Sequence, residues 1–165
     1  MKLRKSSLPD EIRAALDVGP KERILAWADD GNGRPVVASE TAVHLQRVPP
    51  TYTRFGWEQI ERASYDAGVL TVTLVPELDS ATLRVPVGEG RDLPVAIRDR
   101  VTSSVVVDRF VPLQGEVGVR IVGRRTGSGD VVWRTELDPS LADDSSAVEA
   151  AERALEEVRA EVLID

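Results

Sequence analysis

The chain holds one imidazole, His44, and no thiol. Any serine–histidine–acid relay must therefore run through His44. It lies between Val43 and Leu45 in a strand-like stretch, so alternation puts it on the face opposite those two. No G-x-S-x-G elbow presents a serine to it, and a lone imidazole lacks the partners that general acid–base work needs. The absence of Cys excludes disulfides, thiolate metal sites and cysteine nucleophiles. Asp30, Asn32 and Glu40 faintly follow a calcium loop, but Arg34 stands where the next ligand should be. Gly31-Asn32-Gly33 and Gly88-Glu89-Gly90 each begin like a dinucleotide loop, yet Val36 and Leu93 replace the last glycine. Both read as turns. Neighbouring residues on a helix diverge by about 100°, so Glu156 and Glu157 form no carboxylate dyad. The reading is non-enzymatic: no catalytic residue, cofactor or metal is expected.

Binding chemistry has more candidates. Tyr52, Phe55 and Trp57 place three of the seven aromatics within six residues, in a loop that contains Pro49 and Pro50. They either plug one end of the fold or anchor a protein partner, a role aromatics favour. Glu152, Glu156, Glu157 and Glu161 lie on the last helix. They form a solvated face, or a docking surface for a basic partner steered by charge. Arg120, Arg124, Arg125 and Arg134 cluster on a hairpin. Cross-strand pairing with acids such as Glu116 and Glu136 accounts for them; the sharper alternative is an anion or RNA surface.

The net charge is −7, from 21 basic and 28 acidic residues. Residues 138–165 hold nine acids and two bases, whereas residues 1–137 balance at 19 of each. This argues against general nucleic-acid binding, which needs a net basic surface. Arg outnumbers Lys by 18 to 3, a bias that GC-rich coding explains. The basic opening, Met1–Ser7, is followed by no apolar run of signal length, and no stretch approaches a membrane span. Membrane insertion is not expected, and a cytoplasmic location is.

These residues must be positioned by short elements. Ser7-Leu8-Pro9-Asp10 predicts a helix capped by Ser7 and stopped by Gly19-Pro20. Strands are expected over Arg23–Ala28, Arg34–Ser39, Thr41–Arg47, Trp57–Asp66, Val69–Val75 and Ala81–Val87, with a turn at 29–33. Asp92 starts a helix near 93–103, and a strand follows over Val105–Val111, ended by Pro112. Val117–Arg124 and Val131–Leu137 predict a hairpin. A final helix over about 146–163 is capped by Ser146 with Glu149 and carries the stripe Val148, Ala151, Leu155, Val158 and Val162.

In this order, residues 20–103 resemble the bacterial pleckstrin-homology-like (PH-like, GRAM-type) domains. The resemblance rests on Pro20-Lys21-Glu22-Arg23-Ile24-Leu25-Ala26, Val37–Leu45 around a tight turn, Trp57-Glu58-Gln59-Ile60 and Gly68–Thr73. The chain also resembles actinobacterial proteins of this length. The resemblance implies an α+β fold: an antiparallel PH-like β-barrel with a capping helix, then the β-hairpin and the amphipathic C-terminal helix. The expected organisation is an N-terminal helix over 1–19, the barrel and its helix over 20–111, and the hairpin with the acidic helix over 112–165. It implies a binding module for lipid head groups, peptides or proteins. The first hairpin loop, Asp29-Asp30-Gly31-Asn32-Gly33-Arg34, carries two acids and one base, which argues against phosphoinositide binding. The expected function is a protein-interaction or scaffold module with a protein partner. The alternative is an enzyme or small-molecule carrier with a cavity between sheet and C-terminal helix.

Overall fold

The structure is a computed structural model and describes residues 7–164, so the basic stretch 1–6 lies outside the described residues. The fold is α+β, with three antiparallel sheets and three α-helices among the described residues. Its residues group into two compact units. The first reaches to Ser104 and includes Thr126–Ser128; the second comprises Val105–Arg125 and the chain from Gly129.

The first unit opens with α1 (Asp10–Ala15). Its N-cap position is Pro9, not Ser7, with no side-chain cap, and it ends at Leu16 in extended backbone, ahead of Gly19-Pro20. Strands β1 (Ile24–Asp29), β2 (Pro35–Ser39), β3 (Ala42–Val48) and β4 (Thr51–Gly56) then form a sheet in sequence order. The β1–β2 turn shows why two acids stand there. Asp29 Oδ1 accepts from the backbone N–H of Gly31 and Gly33, at 2.7 and 3.0 Å. Asp30 Oδ1 accepts from those of Asn32 and Arg34, at 2.8 and 3.1 Å. The acids are turn caps of the Asx kind.

Thr51–Gly56, read from sequence as a loop, is a paired strand, with Val43 opposite Phe55 and His44 opposite Arg54. Pro49-Pro50 only makes the turn before it. Trp57–Gln59 is a single 3₁₀ turn, so the strand expected from Trp57 starts at Ile60. The second sheet has the order β5 (Ile60–Asp66), β6 (Val69–Leu74) and β7 (Thr82–Pro86). Helix α2 (Asp92–Ser104) buries Leu93, Ile97 and Val101 in one core with Val43, Phe55, Trp57, Ile60 and Leu70. No strand pairing joins the first sheet to the second, so the expected closed barrel is not a continuous hydrogen-bonded one.

The second unit starts directly at the end of α2. Strands β8 (Val105–Gln114), β9 (Val117–Arg125) and β10 (Val131–Leu137) form a sheet of order β10-β9-β8. The unit boundary falls at Ser104–Val105, ahead of the seam expected near residue 112. Pro112 does not end β8, because β8 is an edge strand, where a missing N–H costs no ladder bond. Helix α3 (Ser145–Val162) packs through Ala147, Ala151, Ala154 and Val158. Val148, expected in the stripe, is 37% exposed. The stripe turns toward the small residues because Ala permits a close approach to the sheet. Asp144 rather than Ser146 is the N-cap, accepting from the backbone N–H of Ser146 and Ala147.

Candidate functional site

Of the aromatic candidates, Phe55 and Trp57 are placed in the core rather than on a free surface. Phe55 and Trp57 are 5% and 4% exposed, and Tyr52 is half-buried. The Trp57 indole N–H donates to the Glu40 carbonyl at 3.0 Å. Strand pairing explains this: β4 alternates, so Phe55 must enter the interior once Val43 lies opposite it.

The arginines are engaged. Arg120 donates twice to Asp108, at 2.8 and 2.7 Å, and once to Glu136 at 3.4 Å. Hydrogen bonding from Arg120 holds the Asp108 carboxyl below its ordinary range. The partner acids are thus Asp108 and Glu136 rather than Glu116. Arg124 is 6% exposed, and Arg134 lies 3.5 Å from Glu136. Arg125 is exposed and donates to the Gly129 carbonyl. Glu152, Glu156, Glu157 and Glu161 are all exposed on α3. Glu161 pairs with Arg109 at 2.6 Å, and Glu156 with Arg159 at 3.4 Å.

His44 and Ser39 are both fully buried and 3.2 Å apart, Nε2 to Oγ. They form no nucleophilic relay, because the acid binds the serine rather than the imidazole. Ser39 Oγ donates to Glu22 Oε1 at 2.6 Å, and Glu22 also accepts from the Thr41 hydroxyl and backbone N–H. Arg54 donates to the Thr41 hydroxyl at 3.0 Å. With the Ser39 proton on Glu22, the imidazole must donate from Nε2, leaving Nδ1 as a buried acceptor without a hydrogen bond. Burial acts to raise the Glu22 pKa, but the hydrogen bonds from Ser39, Thr41 and Gly19 outweigh it and hold it low. Burial first, then the Arg54 charge, pushes the His44 pKa down. Ser39 and His44 are closed off from solvent, whereas Glu22, Thr41 and Arg54 are only half-buried at the rim of this cluster.

Two recesses lie on the first unit. The larger, about 550 Å³, lies between β5 and α2. One wall is Ala63, Ser64 and Tyr65, three consecutive residues of β5, with Leu70 behind. Ala63 and Tyr65 pack toward the core and Leu70, opposite Tyr65 on β6, is buried in it, so the recess lies between α2 and the helix-facing side of the second sheet. The sheet order makes β5 an edge strand. The other wall is Arg91, Pro94, Val95 and Arg98, whose three- and four-residue spacings form one helical face. Val95 is 53% exposed, and both arginines are exposed. The Tyr65 hydroxyl donates to the Gly88 carbonyl at 2.7 Å, fixing one end of this recess. The smaller recess, about 320 Å³, lies along β7 and is rimmed by Arg34, Arg47, Arg84 and Asp30. Asp30 faces Arg34 at 3.9 Å.

Sequence reasoning missed the larger recess. The helical spacing of Arg91, Pro94, Val95 and Arg98 was legible; that β5 has no second neighbour was not. No family model, curated protein or solved structure matches the chain. No group of three metal-ligating side chains occurs among the described residues, and no helix among them is long and apolar enough to cross a membrane.

Proposed function

We propose that this chain is a non-enzymatic protein-interaction module whose first unit has a PH-like layout. The layout is supported by element order: a four-stranded sheet, a three-stranded sheet and then a helix that fills the core between their strands. The observation that carries the function is the β5–α2 recess, where the helix-facing side of the second sheet, at its edge strand β5, meets a helical wall with an exposed Val95. Strand edges and apolar grooves are the two backbone-level means by which domains take up peptides. Phe55 and Trp57 support this role indirectly, as members of the core in which α2 is packed. The carrier alternative draws no support from α3, which meets its sheet through a core of Val119, Ile121, Ala151, Ala154 and Val158.

A photo-crosslinking residue introduced at Val95 of the full chain tests this. Discrete protein adducts are expected from position 95 and not from Val148, which is also exposed but lies on α3. Equal labelling from both positions, or none from position 95, would reject the recess as the contact surface.

A further inference from the structure

We infer that Asn32 is a self-modification site. Its carboxamide closes on the Gly33 backbone nitrogen, with Asp29 as proton acceptor, and leaves aspartate or isoaspartate at the tip of the β1–β2 turn. Asn32 does not line the β5–α2 recess, so this chemistry stands apart from the contact surface proposed above.

Asn32 is the only asparagine in the chain, and a glycine follows it. Attack by the next residue's nitrogen on an asparagine carboxamide closes a five-membered ring, and a side chain on that next residue obstructs it. Gly33 has none, and even a Cβ placed there would meet nothing within 4 Å. Asn32 is exposed, and its carboxamide makes no hydrogen bond with a described residue. The carboxamide can therefore turn toward the nitrogen. The nitrogen itself is held, because the Gly33 N–H donates to Asp29 Oδ1 at 3.0 Å. That is the reach of a general base, and Asp29 stands where the attacking group must lose its proton.

The preceding Asp30-Gly31 pair has the same spacing and lacks this arrangement. Asp30 Oδ1 accepts from the backbone N–H of Asn32 and Arg34, at 2.8 and 3.1 Å, and its Oδ2 lies 3.9 Å from the Arg34 guanidinium. A carboxylate held in this way is a poor electrophile and does not swing onto Gly31. The turn thus singles out residue 32.

The step balances within the turn and the solvent. The Gly33 nitrogen forms a bond to Asn32 Cγ, and its proton passes to Asp29. The carboxamide nitrogen leaves as ammonia, taking that proton with it, and a succinimide remains. Water then opens one of the two ring carbonyls. One opening gives aspartate. The other gives isoaspartate, whose backbone runs through the former side chain and gains one carbon. Either product makes the chain one unit more negative than −7, next to Asp29 and Asp30. The longer isoaspartyl backbone falls inside the loop closed by Asp30 N–H to the Arg34 carbonyl, at 2.9 Å, and by Arg34 N–H to Asp30 Oδ1. It therefore loosens the tip of the hairpin.

The test incubates the full-length protein in heavy-oxygen water at mildly alkaline pH, folded and in urea, and follows the peptide spanning residue 32 by mass spectrometry. Label entering residue 32 marks opening of the ring. The folded chain is expected to take up label at least as fast as the unfolded chain, with Gln46, Gln59 and Gln114 unlabelled. Slower uptake by the folded chain would overturn the inference, because the turn would then protect Asn32. D29N keeps an oxygen that can accept the Gly33 N–H but removes the carboxylate. In the folded state it should slow labelling at residue 32 about tenfold or more, the lower range of general-base effects, and in urea it should match the wild type. No slowing, or equal slowing in urea, would overturn the role of Asp29. The isoaspartyl product, separated by ion exchange, should exchange its Arg34 amide faster than the parent; unchanged exchange would overturn the loosening of the hairpin.

Discussion

His44 shows how one buried side chain sets a pH limit. Its Nε2 reaches Ser39, its Nδ1 has no hydrogen bond, and the ring is fully buried. Protonation would place an N–H at Nδ1 with no acceptor and a charge near Arg54. Glu22 and Asp17 act in the opposite direction but do not reverse the shift. The folded pKa therefore lies below the ordinary 6.5, and the unfolded chain takes up the proton first. This contribution is fully present above about pH 6.5 and is lost as pH falls toward the folded pKa. Glu22 and Asp108, both lowered, act in a separate window below their ordinary 4.5 and 3.8. Urea unfolding at pH 8, 7, 6 and 5 should show wild-type stability falling between 7 and 5, and H44Q should flatten that fall. Parallel curves for the two proteins would refute the role given to His44.

At the scale of elements, the β8–β9 contact is the most demanding. Gly118 lies opposite Pro112, where the register shifts between Pro112 and Gln114. A Cβ at 118 would run into the Val111 carbonyl oxygen and come within 2.8 Å of the Pro112 Cα. Both are backbone atoms, so no rotamer change relieves the clash. G118A should destabilise the protein by about 1–3 kcal/mol or more, the range for overpacking, seen as a lower urea midpoint. Gly115, in the same hairpin turn, has a φ of +58° but open space around it. Its replacement by Asn, which tolerates that region, should be milder. Equal effects at 115 and 118 would contradict the close approach. The same edge position explains why Pro112 could sit within β8 although proline ordinarily signals the end of a strand.

At the scale of the molecule, two separate cores hold the chain. One surrounds Ile97, Leu70 and Trp57; the other surrounds Val119, Ile121 and Ala151. Ile97 and Ile121 are both fully buried. Each change to Ala should cost about 2–5 kcal/mol. Hydrogen exchange should place the lost protection of I97A mainly within residues 24–104 and that of I121A mainly within residues 105–162. Uniform loss across both units from either variant would show a single cooperative core instead. The uneven charge follows the same division, since the acidic helix belongs to the second unit.

Much of the element pattern was legible in the sequence because it depends on local rules. Alternation marked β3 and β6, the Thr126–Asp130 turn marked the β9–β10 hairpin, and three- and four-residue spacing marked α2 and α3. The α+β class followed from the same residues. Pairing decided the rest. Whether Phe55 and Trp57 are anchors or core depended on β4 pairing with β3, and whether the arginines of the hairpin are free depended on Asp108 lying within reach of Arg120. The β5–α2 recess exists because β5 ends a sheet and α2 stands beside it. Periodicity reports which side of an element is apolar; it carries no information on which neighbour an edge lacks. That is set only when distant segments meet.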